Sequence, residues 1–597
     1  MSVPSVRRQV EDFLGSNGLR LGEVDLYLAV LSEDGAILAG GGLQRDIVKC
    51  LAVSAEARSL GLSVPLVSRL ISEASERGYT NVKVFTKPEN RALFESLGFK
   101  LLAEAPKAIL LENGRGLADY CQYLRGHAAS GVMIMNVNPF TLGHRYLVEQ
   151  AALALGPSTG SGTERVSVGE PVEGVSDGEP VEPPKLTIIP VKEDASRFPY
   201  RERLAMLRAG CDGLADVVEG SDYQISAATF PTYFLKDLSD AAETQMRLDI
   251  DLFGRHIAPA LGARVRFVGT EPSDPLTARY NTLMKELLPK YDIQLVEIPR
   301  LTLAGASAGS ASRKGSSPVP ELAEGPVTAT EVRALLDEGR FKEASALTPA
   351  STWPYLLADL AERALRMELD TPLKPGLVGP DSKGAHQDMD YDVMRKGIAA
   401  IRPFFPRMAM AATPEELRQL GIDAEAAMLA ATGGVNTHRG AIFALGLALY
   451  PHPMAETAAR LDNGSSKRRE AGIRGAMQMA KEGYKELFED WLPYYASVKA
   501  DAYGLQKTLL RIMATLDDTC VIHRAGYPRA QEIKAEAQAL LKEIPGQAGN
   551  DEDGGPSTGS GTASLEAMCE RYAAEGISPG GAADMLALTI FIDSISN

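Results

Sequence analysis

The 597-residue sequence lacks the features that define several large protein classes. Its five cysteines lie far apart, form no Cys-x-x-Cys pair and are odd in number, which argues against a disulfide framework and against a zinc site. No apolar run is long enough to span a bilayer, and the N-terminal stretch MSVPSVRRQVEDF has no apolar signal core. We therefore expect a cytoplasmic protein that neither enters nor crosses a membrane.

Positive charge is also in deficit, because 62 lysines and arginines face 78 aspartates and glutamates and leave a formal net charge of −16. A surface of that sign repels nucleic acid and anionic membranes, so neither is an expected partner. Any polyanionic substrate has to meet a local cluster of basic side chains or helix amides. Hydrophobic residues make up 45% of the chain, which is typical of a globular protein.

Three stretches combine Gly, Ser, Pro and acidic residues with few residues that could anchor a core. They lie at 156–184, 304–326 and 545–563, and their composition predicts linkers or surface insertions. The first and third share the string GPSTGSGT. Since their flanking sequences are unrelated, we interpret this string as flexible, non-catalytic filler rather than as a structural repeat.

The chain is too long for one hydrophobic core, and its patterns divide it into three predicted domains. Alternating strand and helix patterns predict two α/β domains, at 1–127 and 128–350; the predicted strands include LYLAV, VKVFT, GVMIM and VRFVG. In the second domain this alternation predicts a parallel, doubly wound sheet. After Trp353 the periodicity is almost purely helical, which predicts an all-α domain at 351–597.

A glycine-containing loop in the first domain follows a predicted strand and opens a predicted helix. It reads RSLGLS, from Arg58 to Ser63. The segment resembles the core motif of the GNAT acetyltransferases, whose Arg/Gln-x-x-Gly-x-Gly/Ala loop holds the pyrophosphate of acetyl-CoA. The resemblance implies a GNAT-like α/β fold. Ser63 stands where the family has Gly or Ala, so the sequence leaves open whether the domain binds acetyl-CoA or CoA or is a structural relic.

The second domain carries a strand-to-helix turn with a chemical signature. The string NVNPFTLGHRYLVEQA directly follows GVMIM and contains Thr141, Gly143 and His144. Gly143 would allow a nucleotide to approach the backbone, and His144 at a helix N-terminus would donate to an α-phosphate as charge develops. A lone Gly-His pair is more often a helix cap with a satisfied histidine. The turn resembles the (His/Thr)-x-Gly-His hallmark of the nucleotidylyltransferase superfamily, which implies a Rossmann-like sheet.

A second string supports this resemblance. Residues 327–333 read VTATEVR, which resembles the Ile-Ser-x-Thr-x-x-Arg-like helix start of the same superfamily. Thr328 or Thr330 would cap the helix, and Arg333 with the helix amides would clamp the departing pyrophosphate. Helix capping alone would explain the two threonines, but it would not explain why Arg333 occurs at the spacing of this motif.

The resemblance implies a set of nucleotide contacts. Those on the nucleotide are Asn138, Thr141, Gly143 and His144, and those on the triphosphate are Thr330 and Arg333. Further candidates for phosphate contacts are Lys192, Arg197 and Arg201, for which a solvated basic face is an equally good interpretation. Within this set, His144 and Arg333 are the expected catalytic residues.

Three longer strings narrow the family for residues 1–350. They read ASRFPYRERLAMLRAG, TFPTYFLKD and VGTEPSDPLTARYNTLMKELLP, and they resemble the citrate lyase ligase family. The resemblance implies that acetate attacks ATP to give acetyl adenylate and pyrophosphate. The acetyl group then passes to the prosthetic-group thiol on the acyl carrier subunit of citrate lyase, which would be the protein partner.

Four polar, glycine-rich strings interrupt the apolar helical patterns of the third domain. They read TPLKPGLVGPDSKGAHQDMD at 371–390, TGGVNTHRGAIF at 432–443, LLRIMATLDDTCVIHRAG at 509–526 and SPGGAADMLALTIF at 578–591. Buried polar groups are costly unless they are paired, so we expect the strings to converge on a ligand. All four resemble the triphosphoribosyl-dephospho-CoA synthase family. The resemblance implies transfer of the 5-triphosphoribosyl group of ATP to the 2′-hydroxyl of 3′-dephospho-CoA, with release of adenine.

Such a glycosyl transfer has to neutralise a triphosphate and protonate a leaving purine. Mg²⁺ prefers oxygen ligands, so four aspartates are predicted to hold it: Asp388, Asp390, Asp517 and Asp518. One of these carboxylates, or His386 or His523, would act as general acid or base. The predicted nucleotide and counter-charge contacts are Lys374, Gly376, Asn436, Thr437, His438, Arg439, Gly440 and Arg524.

The sequence thus predicts a bifunctional enzyme that builds and then acetylates the CoA-like arm of citrate lyase. Its small-molecule substrates would be ATP, acetate and 3′-dephospho-CoA. Two alternatives stay open at this point. In one, the N-terminal half is a non-catalytic module that docks on the lyase. In the other, it resembles a phosphopantetheine adenylyltransferase, a family that shares the Thr-x-Gly-His turn.

Overall fold

The computed structural model describes residues 4–156, 186–192, 196–224, 238–272, 274–302, 327–462, 476–544 and 560–596. These residues form two compact units, one ending at Val327 and the other beginning at Thr328. The first unit is mixed α/β and the second is helix-rich. The predicted domain boundaries at 127/128 and 350/351 stay predictions.

The predicted insertions and the string TFPTYFLKD lie almost wholly outside the described residues. The exception is the end of the third insertion, where a helix begins at Ser560. An added Cβ at Gly561 would lie 2.4 Å from the carbonyl oxygen of Glu543, so this end packs closely against neighbouring backbone. The interpretation of residues 560–562, the end of the second GPSTGSGT string, as flexible filler was therefore wrong.

The first sheet of the first unit has six strands. They are β1 (Leu26–Leu31), β2 (Ile37–Gln44), β3 (Ile47–Val53), β4 (Val82–Thr86), β5 (Lys100–Ala105) and β6 (Ala108–Asn113). Their spatial order is β1-β2-β3-β4-β6-β5, and each neighbouring pair is antiparallel except β3 with β4. The helices of this region are α1 (Pro4–Ser16), α2 (Ser63–Glu76), α3 (Arg91–Ser96) and α4 (Gly116–Arg125).

Helix α2 covers one face of this sheet. Leu66, Val67, Leu70 and Ala74 lie on one stripe of the helix at helical spacing, and all four are buried. They share a core with the sheet and with Phe94.

The second sheet has five strands, and every neighbouring pair is parallel. The strands are β7 (Gly131–Met135), β8 (Leu186–Pro190), β9 (Asp216–Val217), β10 (Val265–Gly269) and β11 (Gln294–Ile298), in the order β11-β10-β7-β8-β9. The helices are α5 (Leu142–Leu155), α6 (Tyr200–Gly210), α7 (Leu238–Leu252), α8 (Ala258–Leu261) and α9 (Pro275–Leu287). The chain order reverses between β7 and β10, and parallel sheets bind ligands at the carboxyl ends of strands at such a point.

The two sheets share one hydrophobic core within the first unit. Residues of β5 and β6, such as Leu102 and Leu110, belong to the same buried cluster as Leu248 and Leu252 of α7. Polar contacts join the same elements, since Asp251 accepts a hydrogen bond of 2.8 Å from the amide of Glu104. The regions predicted as a first and a second α/β domain therefore pack against each other within one compact unit.

The second unit is built from helices, and its described residues include one isolated bridge, between Gly379 and Ser382. The helices are α10 (Ala329–Asp337), α11 (Phe341–Ala346), α12 (Trp353–Asp370), α13 (Tyr391–Ile401), α14 (Phe405–Ala409), α15 (Pro414–Ala431), α16 (Arg439–Leu449), α17 (Met454–Leu461), α18 (Ala476–Lys481), α19 (Leu492–Val498), α20 (Gly504–Thr515), α21 (Thr519–Leu541), α22 (Ser560–Glu575) and α23 (Gly580–Ser596).

Helix α23 is the central element of this unit. It packs against α12, α16, α19 and α20, and nearly every side chain from Met585 to Ile592 is buried. A helix that is apolar on all sides is expected to be buried on all sides. Among the described residues, no helix has the combination of length and hydropathy needed to cross a bilayer.

The structure confirms the strands predicted at LYLAV, VKVFT, GVMIM and VRFVG. The helix predicted with His144 at its N-terminus begins at Leu142, because Thr141 caps it. Four strands did not stand out in the sequence: β5, β6, β9 and β11.

Candidate functional site

The Thr-x-Gly-His turn joins the carboxyl end of β7 to α5. The Thr141 hydroxyl caps the helix by accepting a hydrogen bond of 3.3 Å from the amide of His144. In return, Nδ1 of His144 accepts a hydrogen bond of 3.1 Å from the amide of Thr141. The two residues form a reciprocal capping box, which fixes the imidazole at the helix N-terminus.

This hydrogen bond determines the proton position on His144. Because Nδ1 accepts from the Thr141 amide, the neutral ring carries its proton on Nε2. Burial and the positive charge of Arg300 lower the pKa of His144 to about 4, so the ring is neutral at neutral pH. Phe140 stacks on the ring with a centroid separation of 5.8 Å. The turn therefore presents a neutral N–H donor in a fixed orientation.

Gly143 packs closely against the protein's own backbone, and its predicted contact with a nucleotide stays a prediction. An added Cβ would lie 2.5 Å from the carbonyl oxygen of Val327, so a side chain at this position would collide with backbone. The sequence reasoning attributed this glycine to close approach of a nucleotide. Close approach of the protein's own chain is sufficient to require it.

The loop that leads to His144 is held by a buried arginine. Arg203 is fully buried, and its Nη1 donates to Oδ1 of Asn136 at 3.0 Å and to the carbonyl of Val191 at 2.9 Å. Oδ1 of the predicted nucleotide ligand Asn138 accepts a hydrogen bond of 3.2 Å from the amide of Phe198. Sequence reasoning singled out Arg197 and Arg201 in this string but missed Arg203, which supports the loop.

Arg300 is a second residue that sequence reasoning missed. It follows β11, its Nε donates to the carbonyl of Thr270 at 2.7 Å, and its guanidinium pairs with Glu271. Its influence on the pKa of His144 places its charge near the imidazole. The sequence did contain a signal for its partners. Thr270 and Glu271 directly follow strand β10, and they belong to the string VGTEPSDPLTARYNTLMKELLP, which resembles the ligase family.

The other predicted phosphate contacts show no common site. Arg201 is exposed, Arg197 is half-buried, and exposed Lys192 lies 3.7 Å from Asp222. Thr328 caps α10 by accepting from the amide of Glu331 at 3.1 Å. Thr330 and Arg333 lie on that helix in the second unit, where Nη2 of Arg333 donates to Oγ1 of Thr330 at 3.0 Å. The predicted clamp with His144 stays a prediction.

The loop from Arg58 to Ser63 lines a cavity in the first sheet. Strands β3 and β4 pair only near Val48 and Val84. A cavity of about 250 Å³ is lined by the following parts of β3, β4 and the loop: Leu51, Val53, Thr86, Arg58 and Ser63.

The second unit contains a polar cavity of about 460 Å³ to which all four polar strings contribute. Each string contributes residues to the wall of the cavity. The first contributes His386 and Asp388, and the second contributes Asn436, Thr437, His438, Arg439 and Gly440. The third contributes Thr519, His523 and Arg524, and the fourth contributes Ser578, Gly580 and Asp584. Segments separated by about 200 residues in the chain thus meet at one site.

Histidine and arginine side chains give one wall of this cavity its polarity. Nε2 of His386 lies 2.8 Å from Oγ of Ser578. Burial, together with the nearby charge of Arg524, lowers the pKa of His386. His523 and Arg524 are exposed on the first turns of α21, which is interrupted at Gly526, where φ is 84°. This wall is suited to an anionic group.

The turn before α16 supplies a buried histidine. His438 is 4% exposed, and burial with the charge of Lys374 lowers its pKa to about 3. Its Nδ1 lies 2.8 Å from Oγ1 of Thr437, whereas its Nε2 is buried and has no partner among the described residues. Arg439 pairs with Glu425, and its amide donates to Oδ1 of Asn436 at 3.2 Å.

Lys374 and Gly376 do not line this cavity. Lys374 is buried, and its Nζ donates to Oε1 of Glu368 at 2.5 Å. Gly376 has a φ of +70°, and an added Cβ would lie 1.9 Å from the carbonyl oxygen of Ile577. The structure gives both residues packing roles, and their predicted contacts with the nucleotide stay predictions.

The four aspartates predicted to bind Mg²⁺ do not converge. Asp390 caps α13 by accepting from the amide of Val393 at 3.0 Å, which lowers its pKa, and Asp517 pairs with Lys534 at 2.6 Å. Asp518 is buried and accepts hydrogen bonds from the amides of Cys520 at 2.8 Å and Ala582 at 2.9 Å. Only Asp388 lines the polar cavity. Within the described ranges, no group of three or more histidine, cysteine, aspartate or glutamate side chains could hold a metal ion.

Asp584 is the residue that sequence reasoning missed in this unit. It lies on α23 and lines both the polar cavity and a neighbouring, mostly apolar cavity of about 360 Å³. An added Cβ at Gly440 would lie 2.0 Å from its Oδ2, so the start of α16 packs directly on this carboxyl group. A single aspartate within the otherwise apolar string SPGGAADMLALTIF was a signal that could have identified it.

A parallel sheet with a capped histidine at its carboxyl edge, and a helical unit with a polar cavity, define a two-part protein with enzyme-like sites. The model of the citrate lyase ligase C-terminal domain matches residues 130–155 and 181–317. The model of the ATP:dephospho-CoA triphosphoribosyl transferases matches residues 354–452 and 449–597.

Individual relatives agree with these matches. A citrate (pro-3S)-lyase ligase from Klebsiella pneumoniae is 35% identical over 60% of this chain and 94% of the relative, and one from Escherichia coli strain K12 is 34% identical over 58% and 89%. A probable 2-(5″-triphosphoribosyl)-3′-dephosphocoenzyme-A synthase from Stutzerimonas stutzeri strain A1501 is 37% identical over 40% of this chain and 91% of the relative. The chain belongs to the citrate lyase ligase family in its N-terminal part and to the triphosphoribosyl-dephospho-CoA synthase family in its C-terminal part. Both are families of enzymes.

Proposed function

We propose that this chain is a bifunctional enzyme of citrate lyase maturation. One activity acetylates the prosthetic-group thiol of the lyase at the expense of ATP. The other makes 2′-(5″-triphosphoribosyl)-3′-dephospho-CoA from ATP and 3′-dephospho-CoA. The observation that carries this proposal is that one chain spans 94% of a citrate lyase ligase and 91% of a triphosphoribosyl-dephospho-CoA synthase. The comparisons favour neither the docking module nor the phosphopantetheine adenylyltransferase.

In the ligase part, the reacting phosphate would lie against the helix α5 N-terminus. As the acetate oxygen attacks the α-phosphorus, negative charge grows on the phosphate oxygens, and the neutral Nε2–H of His144 would donate to one of them. The reciprocal bonds with Thr141 keep the donor oriented, so little reorganisation is needed during the reaction. Thr330 and Arg333 would contact the pyrophosphate that leaves.

We assign a GNAT-like fold to the first sheet and a Rossmann-like nucleotidylyltransferase fold to the second. The order β11-β10-β7-β8-β9 and the parallel pairing support the second assignment. The cavity beside Arg58 supports a ligand in the first, and equilibrium dialysis with acetyl-CoA and with CoA would decide whether either binds there.

In the transferase part, the polar cavity would hold the triphosphate of ATP. Arg524 and the amides at the start of α16 supply positive potential, and His386 and His523 supply further donors. Mg²⁺ needs only one or two protein carboxylates when phosphates complete its ligand shell, so the exposed Asp388 suits this ion. Bound there, Mg²⁺ would neutralise phosphate charge.

Two assays of the full chain test the proposed function. With ATP, Mg²⁺ and 3′-dephospho-CoA we expect free adenine, detected by chromatography. With ATP, acetate and deacetylated citrate lyase we expect pyrophosphate and acetylated carrier. Pyrophosphate that requires phosphopantetheine instead of acetate would contradict the ligase assignment, and adenine that does not require dephospho-CoA would contradict the transferase assignment.

The acyl carrier subunit of citrate lyase is the proposed protein partner. A cytoplasmic location is proposed as well, and the five free cysteines support it, since a reducing compartment preserves free thiols.

A further inference from the structure

Asp584 lies where the two cavities of the second unit meet. The polar cavity and the mostly apolar cavity share a wall that consists of Asn436, Arg439, Gly440, Thr519, Cys520 and Asp584. A transfer between two large substrates has to bring their reacting atoms together. If each cavity holds one substrate, the residues that line both cavities lie next to both substrates. Asp584 is the only carboxyl group on that wall among the described residues.

The position of this carboxyl group is tightly fixed. Gly440 is the second residue of α16, and its missing side chain leaves the room that Oδ2 of Asp584 occupies, since a Cβ would lie only 2.0 Å away. The amide of the next residue, Ala441, donates a hydrogen bond to Asp584. The carboxyl group is therefore held at the helix start that borders both cavities.

Three carboxyl groups lie close together here, and they differ in their partners. Glu368 pairs with the buried ammonium of Lys374, whose Nζ lies 2.5 Å from its Oε1. Asp518 accepts from backbone amides, including those of Ala582 and Gly581. Asp584 accepts from one amide and has no cationic partner among the described residues. Of the three, it is the group whose negative charge is least compensated.

This lack of compensation favours the protonated form of Asp584. Burial and the nearby charges of Glu368 and Asp518 raise its pKa well above the usual range. Arg439 lies on the same wall, but its guanidinium pairs with Glu425. The other titratable groups that face Asp584 are Tyr484 and Cys520, whose pKa values are also raised, so both are neutral at neutral pH. The raised pKa suits this carboxyl group to donate a proton.

We propose that Asp584 is a catalytic residue of the triphosphoribosyl transfer, the general acid that gives a proton to the leaving adenine. This inference rests on the transferase activity proposed above. Two of the three histidines on the polar cavity are less suited to the role, because burial lowers the pKa values of His386 and His438. The third, His523, lies outside the wall that the two cavities share.

The proposed step balances as follows. The bond between the ribose C1′ and N9 of adenine breaks, its electron pair stays with the purine, and the purine takes the proton of Asp584. The 2′-hydroxyl oxygen of 3′-dephospho-CoA forms the new bond to C1′ and loses its proton to solvent water. The carboxylate left on Asp584 stabilises the positive charge on the ribosyl centre and regains a proton from solvent before the next turnover.

The direct test is the variant Asp584→Asn in the full chain, with adenine release as the readout. We expect kcat to fall by about 100-fold or more, the usual range for loss of a general acid, while the KM for ATP changes by less than about threefold. The matched control is Asp593→Asn on the same helix, which removes a carboxylate that pairs with Lys499 outside both cavities and should leave kcat unchanged.

The pH profile and the leaving group supply readouts that a structural role would not move. In the wild type, adenine release should fall as pH rises through the raised pKa of Asp584, because the acid form is lost. The variant should lack this decline. With the triphosphate of 6-chloropurine riboside, whose purine leaves more readily as an anion, the penalty of Asp584→Asn should be smaller than with ATP.

Distinct outcomes separate the two proposals. A wild-type protein that releases no adenine from ATP and 3′-dephospho-CoA contradicts the proposed function itself. An active wild type whose Asp584→Asn variant keeps more than about a third of kcat overturns the role of Asp584, because loss of a general acid costs much more. If the variant does not fold, the wild type alone decides: a decline at high pH that is as steep with the chloropurine substrate as with ATP overturns the inference.

Discussion

The two proposed nucleotide sites of this chain each contain a half-buried ionisable group whose pKa is shifted toward the neutral form, and the two shifts have opposite directions. In the first unit, a base is kept unprotonated, since burial and Arg300 lower the pKa of His144. In the second, burial and two neighbouring carboxyl groups raise the pKa of Asp584, which favours the protonated acid. We expect the first group to act as a fixed hydrogen-bond donor and the second to supply a proton.

The opposite directions of the two pKa shifts match the chemistry proposed for each site. Phosphoryl transfer needs charge stabilisation on phosphate oxygens and little proton transfer, so a neutral donor held by backbone suffices. Glycosyl transfer expels a purine that is a poor leaving group unless it is protonated, so an acid is needed. Loss of a supporting residue should therefore have different consequences in the two units.

The largest expected effect is on stability in the second unit. Lys374→Met would leave Glu368 buried without its cation, and breaking a buried ion pair costs about 3–5 kcal/mol. We expect a clear fall in the thermal unfolding midpoint of the second unit, measured by calorimetry. A variant that stays stable but binds ATP weakly would contradict the packing role and restore the predicted nucleotide contact.

The next effect is on catalysis in the first unit. His144→Ala removes the donor at the helix N-terminus, and loss of one such donor lowers kcat by about 100- to 1,000-fold. We expect this loss in acetate-dependent pyrophosphate release and no change in adenine release. His127→Ala is a suitable control, because this histidine pairs with Asp216 in the same unit and lies outside the turn. Equal losses in both activities would contradict two independent sites.

A matched pair of glycine variants should separate the two sites further. In Gly440→Ala, the new Cβ would displace the Asp584 carboxyl group, and a misplacement of that size in a catalytic group costs about 100-fold in rate. In Gly143→Ala, it would meet the backbone at Val327, so overpacking should cost about 1–3 kcal/mol of stability. Adenine release and thermal unfolding distinguish the two outcomes.

The smallest expected effect concerns pH. Because the pKa of His144 is lowered to about 4, its ring stays neutral above that value, and ligase activity should be flat between weakly acidic and neutral pH. Activity would fall only as pH drops through the lowered pKa. A titration with a midpoint near the ordinary histidine pKa would contradict the partial burial of His144 and its hydrogen bond from the Thr141 amide.

The sequence predicted the parts of each site that depend on neighbouring residues. The Thr141 cap, the position of His144 on the first turn of α5 and the strand before it follow from local spacing. The four polar strings of the second unit stood out because each conflicted with the apolar helices around it. Arg203 and Arg300 did not stand out, since their partners come from other strands and loops.

What the sequence by itself determined is the type of most elements, the family of each part and the strings that carry chemistry, because periodicity, capping and motif spacing are local properties of the chain. Only the tertiary structure decided the burial and the hydrogen-bond partners of each carboxyl group. Asp518 is adjacent to Asp517 in sequence, yet its Oδ2 accepts from the amide of Ala582 on another helix, whereas Asp584 has no comparable set of amides. Burial and pairing depend on residues far apart in the chain, and these determine whether an aspartate caps a helix, pairs with a lysine or keeps a proton.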